Sequence, residues 1–288
     1  MTRGIRLVFN LFKLRIGIVI AVTAMAGVAV TPGTAPSALQ VGILALAVLI
    51  SSASAGAFNQ YYEADLDRTM DRTRTRPFVT GVLRHHRGWL ALIVLMIAAA
   101  TAAAAYAVNP VAALFTFLGA FFYAVVYTVW LKRRTWWNIV IGGLAGSFAV
   151  LAGAAAVTPS LSPEALLLAL VLFLWTPSHF WSLAIAYRDD YARAGVPMLP
   201  VVKGNAFAAR AILFNTVLLV SASLLPTLYG SGWVYLAGAA SGGALFLWYN
   251  LRLVANPNRH TAMACFHASL VQLSLVLVTA MLDSMLVR

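Results

Sequence analysis

Nine runs of about 20 apolar residues, parted by short turn-forming stretches, leave this chain few ways to fold. A run of that length crosses a ~30 Å hydrocarbon core as a helix, the local structure that satisfies its own backbone hydrogen bonds where water is missing. The runs fall at about 12–31, 40–60, 88–108, 110–130, 138–157, 163–187, 206–227, 232–251 and 262–283. Turn-prone residues separate them: Pro32-Gly33, Asn109-Pro110, Pro159-Ser160, Gly230-Ser231-Gly232 and Asn256-Pro257-Asn258. Composition agrees, with 62% hydrophobic and 10% charged residues, whereas a globular domain carries about 25% charged. A soluble domain, a disordered chain and a disulfide scaffold are excluded, and the single Cys265 reads as a small buried hydrophobe. The fold expected is an all-α polytopic membrane protein with nine transmembrane helices, a single domain over residues 1–288.

Charge placement fixes an orientation. With the N-terminus in the cytoplasm and sides alternating, the inner segments hold 19 of the 20 Lys and Arg, and only Arg288 falls outside. That asymmetry follows the positive-inside rule and sets the C-terminus outside. The basic opening (Arg3, Arg6, Lys13, Arg15) before the first run reads as an anchor rather than a cleaved signal. The net charge of +12 reads as topology and attraction to an anionic lipid bilayer, not as nucleic-acid binding.

The chain has eight acids, and six of them lie in two short clusters at inner helix ends. Carboxylates at a membrane edge point to function by default. In the first cluster Asn59, Glu63, Asp67 and Asp71 are spaced by four. On a helix each step drifts about 40°, so the four share a face about 120° wide, while Asp65 points elsewhere toward solvent or an arginine. Lined-up carboxylates repel unless a cation neutralises them, and Mg²⁺ is held by one or two carboxylates plus phosphate oxygens. Arg68, Arg72, Arg74 and Arg76 follow, with Lys132-Arg133-Arg134 on the next inner loop. Metal-binding carboxylates beside guanidinium forks suit a diphosphate substrate. Topology alone needs the bases but not the acids.

The second cluster, Tyr187-Arg188-Asp189-Asp190-Tyr191, closes the sixth run and leads into Ala194-Gly195-Val196-Pro197-Met198-Leu199-Pro200. Carboxylates from two inner loops would clamp one metal–diphosphate unit from both sides. Within the sixth run, Pro177 predicts a kink, and His179 is an ionisable group in an aromatic setting, a helix–helix hydrogen bonder or a ligand. Asn138 opens the fifth run as a packing residue or a polar contact to substrate.

Taken together, these stretches resemble a known family. Asn59-x₃-Glu63-x₃-Asp67-x₂-Met70-x-Arg72-Thr73-x₂-Arg76-Pro77 resembles the first motif of the UbiA intramembrane prenyltransferase superfamily, in the form found among protohaem IX farnesyltransferases. Tyr127–Gly143, Trp175–Trp181 and Asp190–Pro200 resemble the same subfamily, so the likeness covers about 55–205. It implies a nine-helix UbiA-like bundle in the cell (inner or plasma) membrane with its active site on the cytoplasmic side. The activity implied is Mg²⁺-dependent transfer of a farnesyl group from farnesyl diphosphate to a vinyl group of haem B. Water is added and diphosphate released; haem B is a substrate rather than a resident cofactor, and haem A synthase is the partner implied downstream.

The implied metal and catalytic residues are Asn59, Glu63, Asp67, Asp71 and Asp190, with Arg72, Arg76, Lys132 and Lys203 meeting phosphates. His179, Trp175, Phe180, Trp181 and Asn138 are expected on the haem side, with His179 as iron ligand or proton-transfer group. Two positions depart from the wider superfamily: Glu63 stands where Asp is common, and Ala194 where a second acid is common. An aromatic-acceptor prenyltransferase, making quinones or chlorophyll-type lipids, shares the diphosphate machinery. A cation or substrate transporter is the rival from another class, but transporters bind near the midplane whereas these acids sit at one edge.

Overall fold

The structure is a computed structural model and describes residues 3–287. Arg288, and the side chain of Arg3, which was counted among the inner basic residues, lie outside what is described.

Local capping sets where the helices begin. Helix α1 (Leu14–Val30) follows a short helix, Arg3–Leu11, to which it is bent by 53°. Helix α2 (Ala38–Tyr62) opens on a capping box: the Ser37 hydroxyl accepts from the Gln40 amide, and the Gln40 side chain accepts from the Ser37 amide. Helix α3 is Gly88–Ala107. Helix α4 (Pro110–Leu131) begins with Pro110 in its first turn and with Asn109 Oδ1 accepting from the amides of Val111 and Ala112. Helices α5 (Asn138–Val157) and α6 (Pro163–Ala186, capped by Ser162) follow. Then come α7 (Asn205–Tyr229), α8 (Trp233–Ala255) and α9 (Arg259–Val287). Asp283, near the end of α9, accepts from the amides of Gly232 (2.6 Å) and Tyr235 (3.2 Å) and so caps α8 from across the bundle.

In lipid the hydrophobic effect does not drive helices together, so small residues and interhelical hydrogen bonds do. The interior is lined by alanines such as Ala24, Ala26, Ala152, Ala154 and Ala239, while Val94, Leu95, Phe214 and Met285 face outward. Helices α1 and α5 cross closely at two glycines. A Cβ on Gly153 would sit 1.8 Å from the Ala24 carbonyl oxygen, and one on Gly27 would sit 2.2 Å from that of Val150. Both obstacles are backbone, so neither can swing aside. Gly153→Ala is therefore expected to cost about 1–3 kcal/mol, read as a fall in melting temperature of the purified protein.

Buried polar groups join α6, α7 and α8. Thr216 Oγ1 donates to Ser178 Oγ (2.9 Å) and lies 3.3 Å from Asn250 Oδ1, and Asn215 Nδ2 donates to Ser178 Oγ (2.7 Å). Asn215 Nδ2 also donates to the Leu174 carbonyl, in the turn before Pro177. Helix α6 continues through Pro177, with Asn215 of the neighbouring helix on the carbonyl three residues before it.

Among the described residues, seven helices are long and apolar enough to cross a membrane, and the bent pair ending in α1 brings the number to eight. This is an all-helical, multi-pass membrane bundle, with seven to eight qualifying spans where nine were expected. The helix outside that set is α8: its 23 residues suffice in length, but Gly238, Gly242, Gly243, Tyr249 and Asn250 dilute its apolar character.

Candidate active site

The first acidic cluster grows out of the end of α2. Helix α2 stops at Tyr62, Glu63 takes a non-helical conformation, and a short helix (Ala64–Arg68) resumes. The ladder nevertheless carries through, because the Glu63 amide bonds to the Asn59 carbonyl and the Asp67 amide to that of Glu63. Asn59, Glu63 and Asp67 therefore keep their common face, and all three are buried. Asp71 lies past the end of that helix, in a run of turns, with its side chain exposed. The four-residue period holds for three of the four predicted residues and fails at the last, because the helix ends first.

Each buried side chain on this row is held by a cation. Lys132 Nζ donates to Glu63 Oε2 at 2.5 Å, Arg76 donates to Asp67 Oδ2 at 2.6 Å, and Lys13 Nζ donates to Asn59 Oδ1 at 2.7 Å. Lys13 also donates to the Tyr123 hydroxyl at 2.9 Å, and Asn59 Nδ2 to Thr128 Oγ1 at 3.1 Å. These partners come from the last part of α4, Phe122–Leu131, which widens into π-type turns. The wider turns show in the Lys132 amide bonding to the Tyr127 carbonyl five residues back, and the Thr128 hydroxyl reaches the Tyr123 carbonyl. Single π turns concentrate at functional sites because they re-aim side chains; here they turn Thr128 and Lys132 onto α2. Asn138 then closes the loop, with Nδ2 donating to the Thr135 carbonyl (2.6 Å) and lying 3.5 Å from that of Lys132.

Asp65 points away, as expected. Arg133 grips it with two bonds, at 2.7 and 2.9 Å, and this guanidinium holds the carboxyl below its usual range. A depressed carboxylate adds stability that is full above its unfolded value near ~4 and is lost as pH falls through the lower folded one. The Asp65 side chain is two-thirds exposed and Arg133 more than one-third, so Asp65→Asn is expected to cost under about 1 kcal/mol at neutral pH. The melting difference from the parent protein should shrink as the solution is acidified.

The two acidic segments face each other. Arg193 pairs with both Asp190 and Asp71, the latter at 2.9 Å. Arg72 lies 3.4 Å from the Tyr191 hydroxyl and 5.6 Å from the centre of the Tyr187 ring. Asp190, on the short helix Arg188–Arg193, is buried. The following segment is locked by Gly195 at φ +65°, by the Val196 amide on the Tyr191 carbonyl, and by buried Val196, Met198 and Leu199. Lys203 ends the short helix Leu199–Lys203, exposed, and no ion pair among the described residues includes it.

His179 is enclosed by packing. Its ring stacks between Trp175 (4.1 Å) and Phe266 (4.3 Å), and Nδ1 lies 2.7 Å from Ser269 Oγ, while Trp175 donates to the Ser269 carbonyl. This set ties α6 to α9. Trp181 is buried and Phe180 faces outward.

Among the described residues, no three His, Cys, Asp or Glu lie close enough together to hold a metal by themselves. The donors nevertheless fit a hard divalent cation. Glu63 and Asp67 on one row and Asp190 on the facing segment offer carboxylate oxygens, Asn59 offers an amide oxygen, and Glu63 Oε1 is buried without a hydrogen-bond partner. The cations now on the other oxygens show that the row attracts positive charge.

A cluster of carboxylates and cations at the helix ends of a membrane bundle has the charge pattern that suits a metal–diphosphate group, and the family to which the chain belongs is a class of prenyl-transferring enzymes. The chain belongs to the UbiA prenyltransferase family, which matches residues 20–276. It is 55% identical over 286 residues to protoheme IX farnesyltransferase 2 of Paramagnetospirillum magneticum, covering 99% of both chains. Its fold is similar to that of a digeranylgeranylglyceryl phosphate synthase (TM-score 0.80, 18% identity, 98% and 99% of the chains). It is likewise similar to a UbiA homologue from Archaeoglobus fulgidus bound to DMAPP and Mg²⁺ (TM-score 0.71, 15% identity, 93% and 98%).

Lys13, Tyr123, Thr128 and Arg193 were not expected in the site. Lys13 and Arg193 were read as topology charges, and no spacing rule reveals π turns. Thr128 lay within the Tyr127–Gly143 stretch that carried the resemblance, and Tyr123 had no signal of its own.

Proposed function

We propose that this chain is a Mg²⁺-dependent intramembrane farnesyltransferase that converts haem B to haem O. The reading is supported by the relative named above and carried by one observation: three buried oxygen ligands in a row, each with its own cation, facing a second acidic segment across Arg193. We place nine crossings in the bilayer with the N-terminus and the site on the cytoplasmic side, on the strength of the basic inner segments.

Glu63, Asp67 and Asp190, with Asn59, would hold Mg²⁺, and the metal would supply charge stabilisation for the departing diphosphate. Arg76 and Lys132, now on the carboxylates, would turn toward phosphate oxygens, joined by Arg72 from the rim. The C–O bond of farnesyl diphosphate breaks with its electron pair leaving on diphosphate, and the vinyl π electrons of haem B form the new bond to the farnesyl C1. The cation left beside the macrocycle takes up water and loses one proton, giving the hydroxyethylfarnesyl group. Tyr123 and Tyr127, whose rings already lie under the Lys13 and Lys132 ammonium groups, would offer aromatic faces to the allylic cation. The apolar bundle limits the water that would otherwise quench an allylic cation.

The test is purified protein with labelled farnesyl diphosphate, haem B and Mg²⁺. Haem-dependent diphosphate release and a product of haem O mass are expected. Release that depends instead on a phenolic acceptor, or transport of the label without chemistry, overturns the reading.

A further inference from the structure

A cavity of about 680 Å³ opens beside the acid row, within the ~300–1,000 Å³ range of small-molecule sites. Its lining comes from the short helix Arg3–Leu11, from the turn segment 75–82, and from Lys13, Ile16 and Gln60. The bend that folds this helix over the row occurs at Lys13, whose φ of +48° is one that residues with a side chain rarely adopt. Such a conformation persists where its surroundings impose it. Here the Lys13 ammonium is tied to Asn59 and Tyr123, and its stem lies against Gly56, where a Cβ would come within 3.3 Å of it. Gln60 Nε2 fastens the end of the short helix by donating to the carbonyls of Asn10 and Leu11.

The chemistry of the lining separates this cavity from the diphosphate site. Its walls are mainly apolar, its charged residues are Arg6, Lys13 and Arg76, and among the described residues no Asp or Glu lines it. A diphosphate that travels with a metal needs carboxylates; a broad apolar molecule carrying carboxylates of its own needs bases and apolar walls. The two sites share a wall, because Lys13 also bonds Asn59 and Arg76 also bonds Asp67. A donor and an acceptor that exchange a carbon–carbon bond require such adjacency. We infer that this cavity docks the tetrapyrrole acceptor, with Arg6 meeting a propionate and the Lys13–Arg76 wall bringing the vinyl edge to the farnesyl donor. This placement rests on the haem-modifying reading above.

The full-length protein in detergent tests it with two variants, Arg6→Glu and Leu7→Trp, the second filling the cavity from the short helix. Haem B binding is followed by Soret titration and donor binding by calorimetry with farnesyl thiodiphosphate. Both variants are expected to weaken haem B by about tenfold and to leave the donor analogue within about twofold of the parent. Unchanged haem affinity in both variants, or a loss confined to the donor analogue, overturns the placement. A parent protein that binds no haem B overturns the haem reading and the placement with it.

Discussion

Asp67→Asn is expected to lower kcat by about 10²–10³-fold, the loss that follows removal of one preorganised electrostatic contact at a reacting centre. The Asp67 side chain is only 2% exposed and accepts from Arg76 at 2.6 Å, with its backbone carbonyl held by Thr73. Asparagine keeps the shape and one acceptor oxygen but removes the charge that a hard cation needs, and it leaves Arg76 without a counter-ion. Melting temperature should change little, because Arg76 is one-fifth exposed and can reach water. Steady-state assays with farnesyl diphosphate and haem B across a Mg²⁺ titration check this. An activity within about tenfold of the parent at saturating Mg²⁺ would remove Asp67 from the metal set.

Lys132→Met acts first on stability. Glu63 is fully buried, Lys132 is its partner at 2.5 Å, and the second Glu63 oxygen already has no hydrogen bond. Removing the ammonium strands a buried carboxylate, which costs about 3–5 kcal/mol, whereas replacing both members of a buried pair is close to neutral. The single variant is therefore expected to melt well below the parent, and the double variant Glu63→Gln/Lys132→Met to regain most of that loss. Both are expected to be inactive. Melting curves of the two variants decide it: a double variant no more stable than the single one would show that the pair does not carry this energy.

The bundle was legible because lipid imposes one rule throughout: apolar length and helical closure, with turns at Pro, Gly and Asn. Asn109-Pro110 begins α4 as its composition requires, and the residues that begin α2 and α6 (Ser37 and Ser162) are ordinary caps. The rule weakened at α8, where glycines and aromatic residues chosen for packing against α7 and α9 lower the apolar signal. The four-residue period placed Asn59, Glu63 and Asp67 on one buried face, because helical geometry alone puts them there. It overreached at Asp71, since the end of a short helix depends on turn energetics that spacing does not express. Lys13 escaped notice because its role depends on a backbone bend and on partners 46 and 110 residues away.

Membrane residence, the helical class and the two acidic segments belong to local composition and period, which any stretch of chain carries with it. Which cation meets which carboxylate, the opposition of Asp71 and Asp190 across Arg193, and the cavity under the first short helix were settled only by tertiary packing. These contacts join residues tens to more than a hundred positions apart, and their geometry is set by helix crossings and π turns that leave no periodic trace in the chain.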